Sequence, residues 1–477
     1  MRCFAYINNR HKDEESKVSR RKRYLTALVV LALLTNFTTT VRATGLLTPT
    51  KVDYAIVVSN STLNDDKWKA VVDTLVAKHD GQVVTFREDV EQAHSRLQEL
   101  FPRYTCFVAT PDEATADFVR IVHQLTRRLD EDPYTDTMWS ILTGHTAENA
   151  LSIARHDSPL VVRKVASGTE VALEMCEQGL WYDELVKYKK VEKQKDGKPQ
   201  QRDGPADTTK ALADTLTDYK ADLFVTSGHA DERSWTIGFS YRNGKFLSKA
   251  GKMYGEDTRG KRFEINSSNP KVYLPIGNCS MGHIDSSDAM ALAWMNSCGV
   301  KQMIGYVVPT WFGYGGWGCL DYFVEQPGRY TLVEAFHANH HALIHNLLSA
   351  KDTRGLTYDR DVVAVYGDPK WEARMAAAPR AYEQTLVVED GVYIFTIKPN
   401  RGADSFKPIN TNGSQRGWRP IVHFLPHRIK SVKVTDCAEL DPTITDDFIL
   451  VPNPRECDPK REYKVVFRAS KIKANGE

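Results

Sequence analysis

The sequence predicts an α/β protein built on a mostly parallel sheet and followed by a carboxyl-terminal all-β domain. Three observations carry that expectation. From about residue 52 to residue 370, short apolar runs alternate with amphipathic stretches of helical spacing, the pattern of βαβ units. Near Trp371 that alternation stops. Beyond it come only brief apolar runs separated by turn residues, at Thr385–Val388, Val392–Ile397, Ile421–Phe424, Ile429–Val434, Phe448–Val451 and Tyr463–Phe467, which suits a sandwich. With 477 residues, 42% apolar and 26% charged, the chain has enough core for two or three domains and is neither disordered nor collagen-like.

The elements follow in order. Tyr54-Ala55-Ile56-Val57-Val58 reads as a buried strand, and Asp65 to Lys78 as a helix with Trp68, Val71, Val72 and Leu75 on one face. Gln82–Phe86 and Thr105–Ala109 are further strands, with helical stretches at 89–100 and 113–130. Lys187 to Asp207 is rich in Lys, Gln, Asp and Gly, and reads as a solvated loop. The alternation resumes with a helix over 208–219, strands at 221–226, 271–276 and 300–308, and helices over 286–296 and 332–348. The expected division is a leader at 1–43, an amino-terminal α/β subdomain at 44–160, a second subdomain at 161–375 containing the 187–207 loop, and a β-sandwich at 380–477.

The leader rests on three parts of a secretory signal. Arg20-Arg21-Lys22-Arg23 precedes an apolar run from Tyr24 to Leu34, and Val41-Arg42-Ala43 places small residues at −3 and −1 of a cut. The run is shorter than the ~20 apolar residues of a spanning helix. Export to the cell envelope or beyond, with no stable membrane span once the leader is gone, is the expectation. Residues 1–43 hold nine Lys/Arg and three Asp/Glu, so the formal +2 of the chain becomes −4 without them. A mildly acidic protein gives no support to nucleic-acid binding. Cys3 leaves with the leader, and the remaining seven cysteines are odd in number, so at least one thiol stays unpaired or pairs outside the chain. Cys437 and Cys457, in loops of the sandwich, are the best disulfide candidates.

Two strands run directly into chemistry. Leu223-Phe224-Val225-Thr226 leads into Ser227-Gly228-His229-Ala230, and Val272-Tyr273-Leu274-Pro275-Ile276 leads into Gly277-Asn278-Cys279-Ser280-Met281-Gly282-His283. Ligands bind at the carboxyl ends of strands in open α/β sheets. If the two strands are neighbours, His229 and Cys279 emerge side by side. An imidazole next to a thiol favours thiolate and shuttles protons. Gly228, Gly277 and Gly282 leave room for a substrate backbone.

These residues resemble the gingipain-like cysteine peptidases, which share a caspase-like fold with clostripain and caspases. Gly228-His229-Ala230 with Trp235 five residues beyond Ala230 is similar to that family's Gly-His-Gly and its following tryptophan. Asn278-Cys279-Ser280-Met281-Gly282 is similar to the nucleophile block, and the 50-residue separation of His229 and Cys279 is close to that of caspases. Lys301–Gly305 through Trp311 resembles the next strand and its pocket tryptophan, and Val365-Tyr366-Gly367-Asp368-Pro369 resembles the Gly-Asp-Pro that closes the catalytic domain. The likeness runs in order over about residues 50 to 372. It implies a caspase-like three-layer sandwich and an immunoglobulin-like carboxyl-terminal module. It also implies an endopeptidase acting on protein or peptide substrates through a thioester acyl-enzyme, without cofactor or metal. In that reading Cys279 is the nucleophile, His229 the general base and acid, and Glu170 the acid that orients the histidine. Backbone N–H groups of Ala230 and Cys279 form the oxyanion hole, and Trp311 borders the substrate pocket. Two departures stand out: Ala230 replaces a glycine, and Trp139–Gly144 lacks the family's Gly-Arg and proline. The alternative is an inactive caspase-like scaffold that binds other proteins of the envelope.

Three other features invite chemistry. His337, His341 and His345 share one face of the 332–348 helix, spacing that can hold a transition metal, but no matching ligand set is visible elsewhere and a polar face is expected. His283 is a possible second imidazole near the thiol. Trp311, Trp317 and the glycines Gly313, Gly315, Gly316 and Gly318 suggest a mobile aromatic rim to a cleft.

Overall fold

The computed structural model describes residues 52 to 472, save 412, 414 and 438; the expected leader lies outside them. Its centre is a twelve-stranded sheet. In spatial order the strands are Gln82–Phe86, Tyr54–Ser59, Tyr104–Val108, Met138–Leu142, Val363–Tyr366, Val300–Tyr306, Lys271–Pro275, Leu223–Thr226, Lys164–Ser167, Gln178–Tyr182, Lys189–Lys193 and Gln200–Asp203. Pairing is parallel except between Val363–Tyr366 and Val300–Tyr306, and where the last two strands fold back as a hairpin. Val363–Tyr366 is parallel to Met138–Leu142 on its other side. The two halves of the sheet therefore run in opposite directions, and only one half sends its strand ends to the His229 and Cys279 edge.

Helices cover both faces, giving three layers. Tyr54 stacks on His79 of the helix Asp66–His79 at 4.3 Å between ring centroids. Phe107 and Trp139, one residue out of phase with Tyr54 in the parallel register, meet Phe118, His123 and Phe336 on the opposite face. Asp368 ties the amino-terminal half to the closing strand, accepting from the Tyr54 hydroxyl at 2.8 Å and pairing with His79 at 2.8 Å and Lys78 at 3.0 Å. After Trp371 the chain forms a four-stranded antiparallel sheet and a three-stranded one around a second apolar core, the expected all-β module. Asp390-Gly391, both at positive φ, make the two-residue turn that opens it.

Some expectations are corrected. Lys187–Asp207 is not loop throughout: Lys189–Lys193 and Gln200–Asp203 pair as a hairpin on the sheet edge. The outer strand, Gln200–Asp203, is exposed along its length with Gln, Arg and Asp side chains, which suits an edge strand that must not attract another chain. A four-stranded antiparallel sheet between residues 234 and 265 was not anticipated; its central turn is Ala250-Gly251, at φ 47° and 68°, which lacks the usual Asn-Gly signature. Cys437 and Cys457 are separate thiols packed against the sandwich core, not a disulfide. Among the described residues no helix is long and apolar enough to cross a membrane.

Candidate active site

The strands Leu223–Thr226 and Lys271–Pro275 are parallel neighbours with Thr226 opposite Pro275, so their following loops rise from the same edge. Asn278, fully buried, locks those loops together. Its Oδ1 accepts from the Thr226 hydroxyl at 2.5 Å and its Nδ2 donates to the Gly228 carbonyl at 2.9 Å. Gly228 sits at φ +88°, a conformation costly for other residues. Trp235, buried, donates from Nε1 to the Ser227 carbonyl at 2.7 Å. A side chain on Gly277 would meet the Ser227 hydroxyl at 2.6 Å, which explains the glycine before the cysteine.

Cys279 is partly buried, and its Sγ accepts from the Thr310 N–H at 3.2 Å. The Thr310 hydroxyl donates to the Asn278 carbonyl at 3.1 Å, so the loop after Val300–Tyr306 carries both a donor to sulfur and a brace for the turn. Trp311, the next residue, is 74% exposed. The backbone N–H groups of Ala230 and Cys279 donate to nothing among the described residues. Unpartnered donors, one on each of the two loops, are what an oxyanion needs.

His229 is exposed, and its ring stacks on Phe239 at 4.7 Å with 20° between planes. No hydrogen bond joins it to the Cys279 thiol among the described residues. Glu170 is placed elsewhere: its Oε1 accepts from Asn410 of the sandwich at 3.4 Å. The acid close to the histidine loop is Glu184, which sequence reading missed. It follows the strand Gln178–Tyr182, unrecognised because its small and polar residues break the apolar run. Glu184 is buried, with Oε1 accepting from the Thr169 hydroxyl at 2.7 Å and Oε2 in no hydrogen bond. Oε2 would lie 3.2 Å from a side chain on Gly228. Burial pushes its carboxyl up to about 7. Its backbone carbonyl accepts from the N–H groups of Phe239 and Ser240 at 2.7 and 3.0 Å, so this residue holds the ring on which His229 lies.

The remaining candidates resolve differently. His283 is drawn to Glu232, 3.3 Å away, not to the thiol. Trp317 is no rim residue: it is buried in the helix Tyr314–Phe323. Gly316 and Gly318 are there for close packing, since side chains would collide with the Ile276 carbonyl and the Asn339 side chain. The histidine helix, Leu332–Ser349, is also not a solvated face, because His337, His340 and His341 are buried. His337 accepts from the Trp139 N–H at 2.9 Å, and His341 stacks on Phe448 of the sandwich at 4.2 Å. Burial lowers all three imidazoles, His337 to about 3. His123 and Asp361 do approach His340, with one ligand atom from each within 4.8 Å of the others. The positive charge at that spot is already supplied by Arg127, 2.7 Å from Asp361 Oδ1 and 3.5 Å from His340 Nε2.

No family model and no curated protein matches the chain. Among solved structures it is similar to the complex of Porphyromonas gingivalis RgpB pro- and mature domains, at 10% identity and a TM-score of 0.45, over 88% of this chain and 98% of that one. A likeness so loose carries nothing about the chemistry of the site.

Proposed function

We propose that the protein is an exported cysteine endopeptidase of the gingipain-like kind, acting through His229 and Cys279. One observation carries the reading: parallel pairing of their strands puts both loops on one sheet edge, locked by Asn278, with an unpartnered backbone donor on each loop. In the reaction the Cys279 thiolate attacks the peptide carbonyl, forming a carbon–sulfur bond while His229 holds the thiol proton. The N–H groups of Ala230 and Cys279 take the developing oxyanion, a contribution of about 10²–10³ per donor. His229 then gives its proton to the leaving amine as the carbon–nitrogen bond breaks. Water, deprotonated by the same imidazole, releases the acid from the thioester. For this the ring swings off Phe239 toward the thiol, a rotation that an exposed side chain makes readily.

A scaffold that binds without cleaving is the second reading, favoured by the stacking of His229 on Phe239 in place of a bond to sulfur. Cleavage of casein under reducing conditions and labelling by a peptidyl acyloxymethyl ketone separate the two. The peptidase is expected to cleave and to be labelled at Cys279, with both lost in Cys279→Ala. A folded wild-type chain that neither cleaves nor takes the label is the scaffold.

A further inference from the structure

The loops that follow Val300–Tyr306, Lys271–Pro275, Leu223–Thr226 and Gln178–Tyr182 leave the sheet on one edge, because these strands and the intervening Lys164–Ser167 are all parallel. At one end of that edge stands Trp311. At the other is the turn between Gln178–Tyr182 and Lys189–Lys193, with Leu185, Val186 and Tyr188 exposed by 46%, 51% and 51%. Between them Phe239, 52% exposed, lies against His229. Large apolar side chains left open in a row mark a surface that something covers.

Most of the charge in the same loops is already used, although Lys187, 5.1 Å over the Tyr188 ring, and Asp231 are exposed and in no ion pair among the described residues. Asp183 pairs with Lys189 at 2.8 Å, Glu232 faces His283, and Arg233 pairs with Asp285. Glu184 is buried beside Gly228, with its carbonyl on the Phe239 N–H. These paired and buried groups offer no free charge to a substrate, and the apolar side chains make up most of the open surface of the Leu185–Tyr188 turn.

We infer that the cleft takes an extended peptide whose bulky apolar side chains flank the bond to be cut, seated between Trp311 and the Leu185–Tyr188 turn. The dimensions agree: four strand spacings of ~4.8 Å separate the two ends, about 19 Å, the length of roughly six extended residues. His229 then falls under the middle of the peptide and Cys279 one strand spacing nearer Trp311. This inference rests on the peptidase reading for its chemistry, but its test does not require turnover.

Binding is measured by calorimetry on the full chain carrying Cys279→Ala, with two hexapeptides identical except that Leu and Phe on either side of the central bond are replaced by Lys and Asp. The apolar peptide is expected to bind at least about tenfold tighter, the discrimination that one or two buried side chains supply. Leu185→Ser with Val186→Ser should erase about tenfold of that advantage and leave the charged peptide unaffected. Trp311→Ala, on a different loop, should act in the same direction. Equal or tighter binding of the charged peptide overturns the inference, as does undiminished selectivity in both variants. Labelling of wild-type Cys279 decides the peptidase reading separately.

Discussion

The histidine-rich helix and the His229 loop use the same side chain in opposite ways. On the helix, His337, His340 and His341 are closed off from water and kept neutral, the first two hydrogen-bonded to Trp139 and Thr135 and the third stacked on Phe448. At the strand end a single imidazole is open to solvent, beside a thiol loop, with only the ring of Phe239 to hold it. A cluster of histidines in sequence looks more like chemistry than a lone one does. Accessibility reverses that order, because an imidazole that cannot be reached or charged cannot move a proton for a substrate.

The contrast breaks most directly by mutating one residue from each region. His229→Ala should reduce peptide cleavage by about 10³-fold or more and leave the urea midpoint within ~0.5 kcal/mol, as for an exposed residue. His337→Ala should do the reverse. It removes a buried ring and strands the Trp139 N–H, costing about 3 kcal/mol, while the folded fraction keeps its turnover number. Turnover per folded molecule, together with urea unfolding of each variant, checks both halves. A large loss of turnover number in His337→Ala would erase the distinction.

What could be read from sequence follows the same physical line. The two strand-to-loop transitions were legible because a run of apolar residues ending in Gly-His or Gly-Asn-Cys needs no tertiary knowledge to place. The mostly parallel sheet followed from alternation, the three layers from the family resemblance, and the all-β region from the change of texture after Trp371. Glu184 was not legible. Its strand, Gln178-Gly179-Leu180-Trp181-Tyr182, is a strand only because Lys164–Ser167 and the 189–203 hairpin pair with it. Gly179 is required there, since a side chain would strike the Val165 carbonyl at 2.7 Å, yet in sequence a glycine weakens the expectation of a strand. The burial of the histidine helix was hidden for a related reason: Phe448, which covers His341, lies 107 residues further on in the all-β region.

Acid should sharpen the comparison at intermediate size. In the folded chain burial lowers His123 to about 4 and His337 to about 3, while in the unfolded chain both titrate near 6.5. Below ~6.5 the unfolded state therefore binds more protons, and the stability these residues allow is intact above that pH. It is lost progressively as pH falls from about 6.5 toward 4, at up to ~1.4 kcal/mol per pH unit for each imidazole. Urea midpoints measured between pH 7 and pH 4.5 should fall steeply in the wild type and less steeply in His337→Gln, which keeps an acceptor for the Trp139 N–H without a titrating ring.

Glu184 gives the smallest effect and combines the two situations, being a buried titratable group beside the Gly228 turn that carries the exposed imidazole. Its folded carboxyl is raised to about 7 by burial, against about 4.3 when unfolded. Here the folded state holds the extra proton. The penalty is absent below ~4.3, grows as pH rises, and is complete above about 7. Glu184→Gln keeps the shape and an acceptor for the Thr169 hydroxyl, so it should match the wild type at pH 4 and be more stable by about 2 kcal/mol at pH 8. If the carboxyl also steadies His229 through Phe239, the alkaline side of the kcat/KM profile should flatten in the same variant. A stability gain with an unchanged profile would make Glu184 a support of the Gly228 turn alone, and would leave His229 governed by the open cleft and not by the buried acid beside its turn.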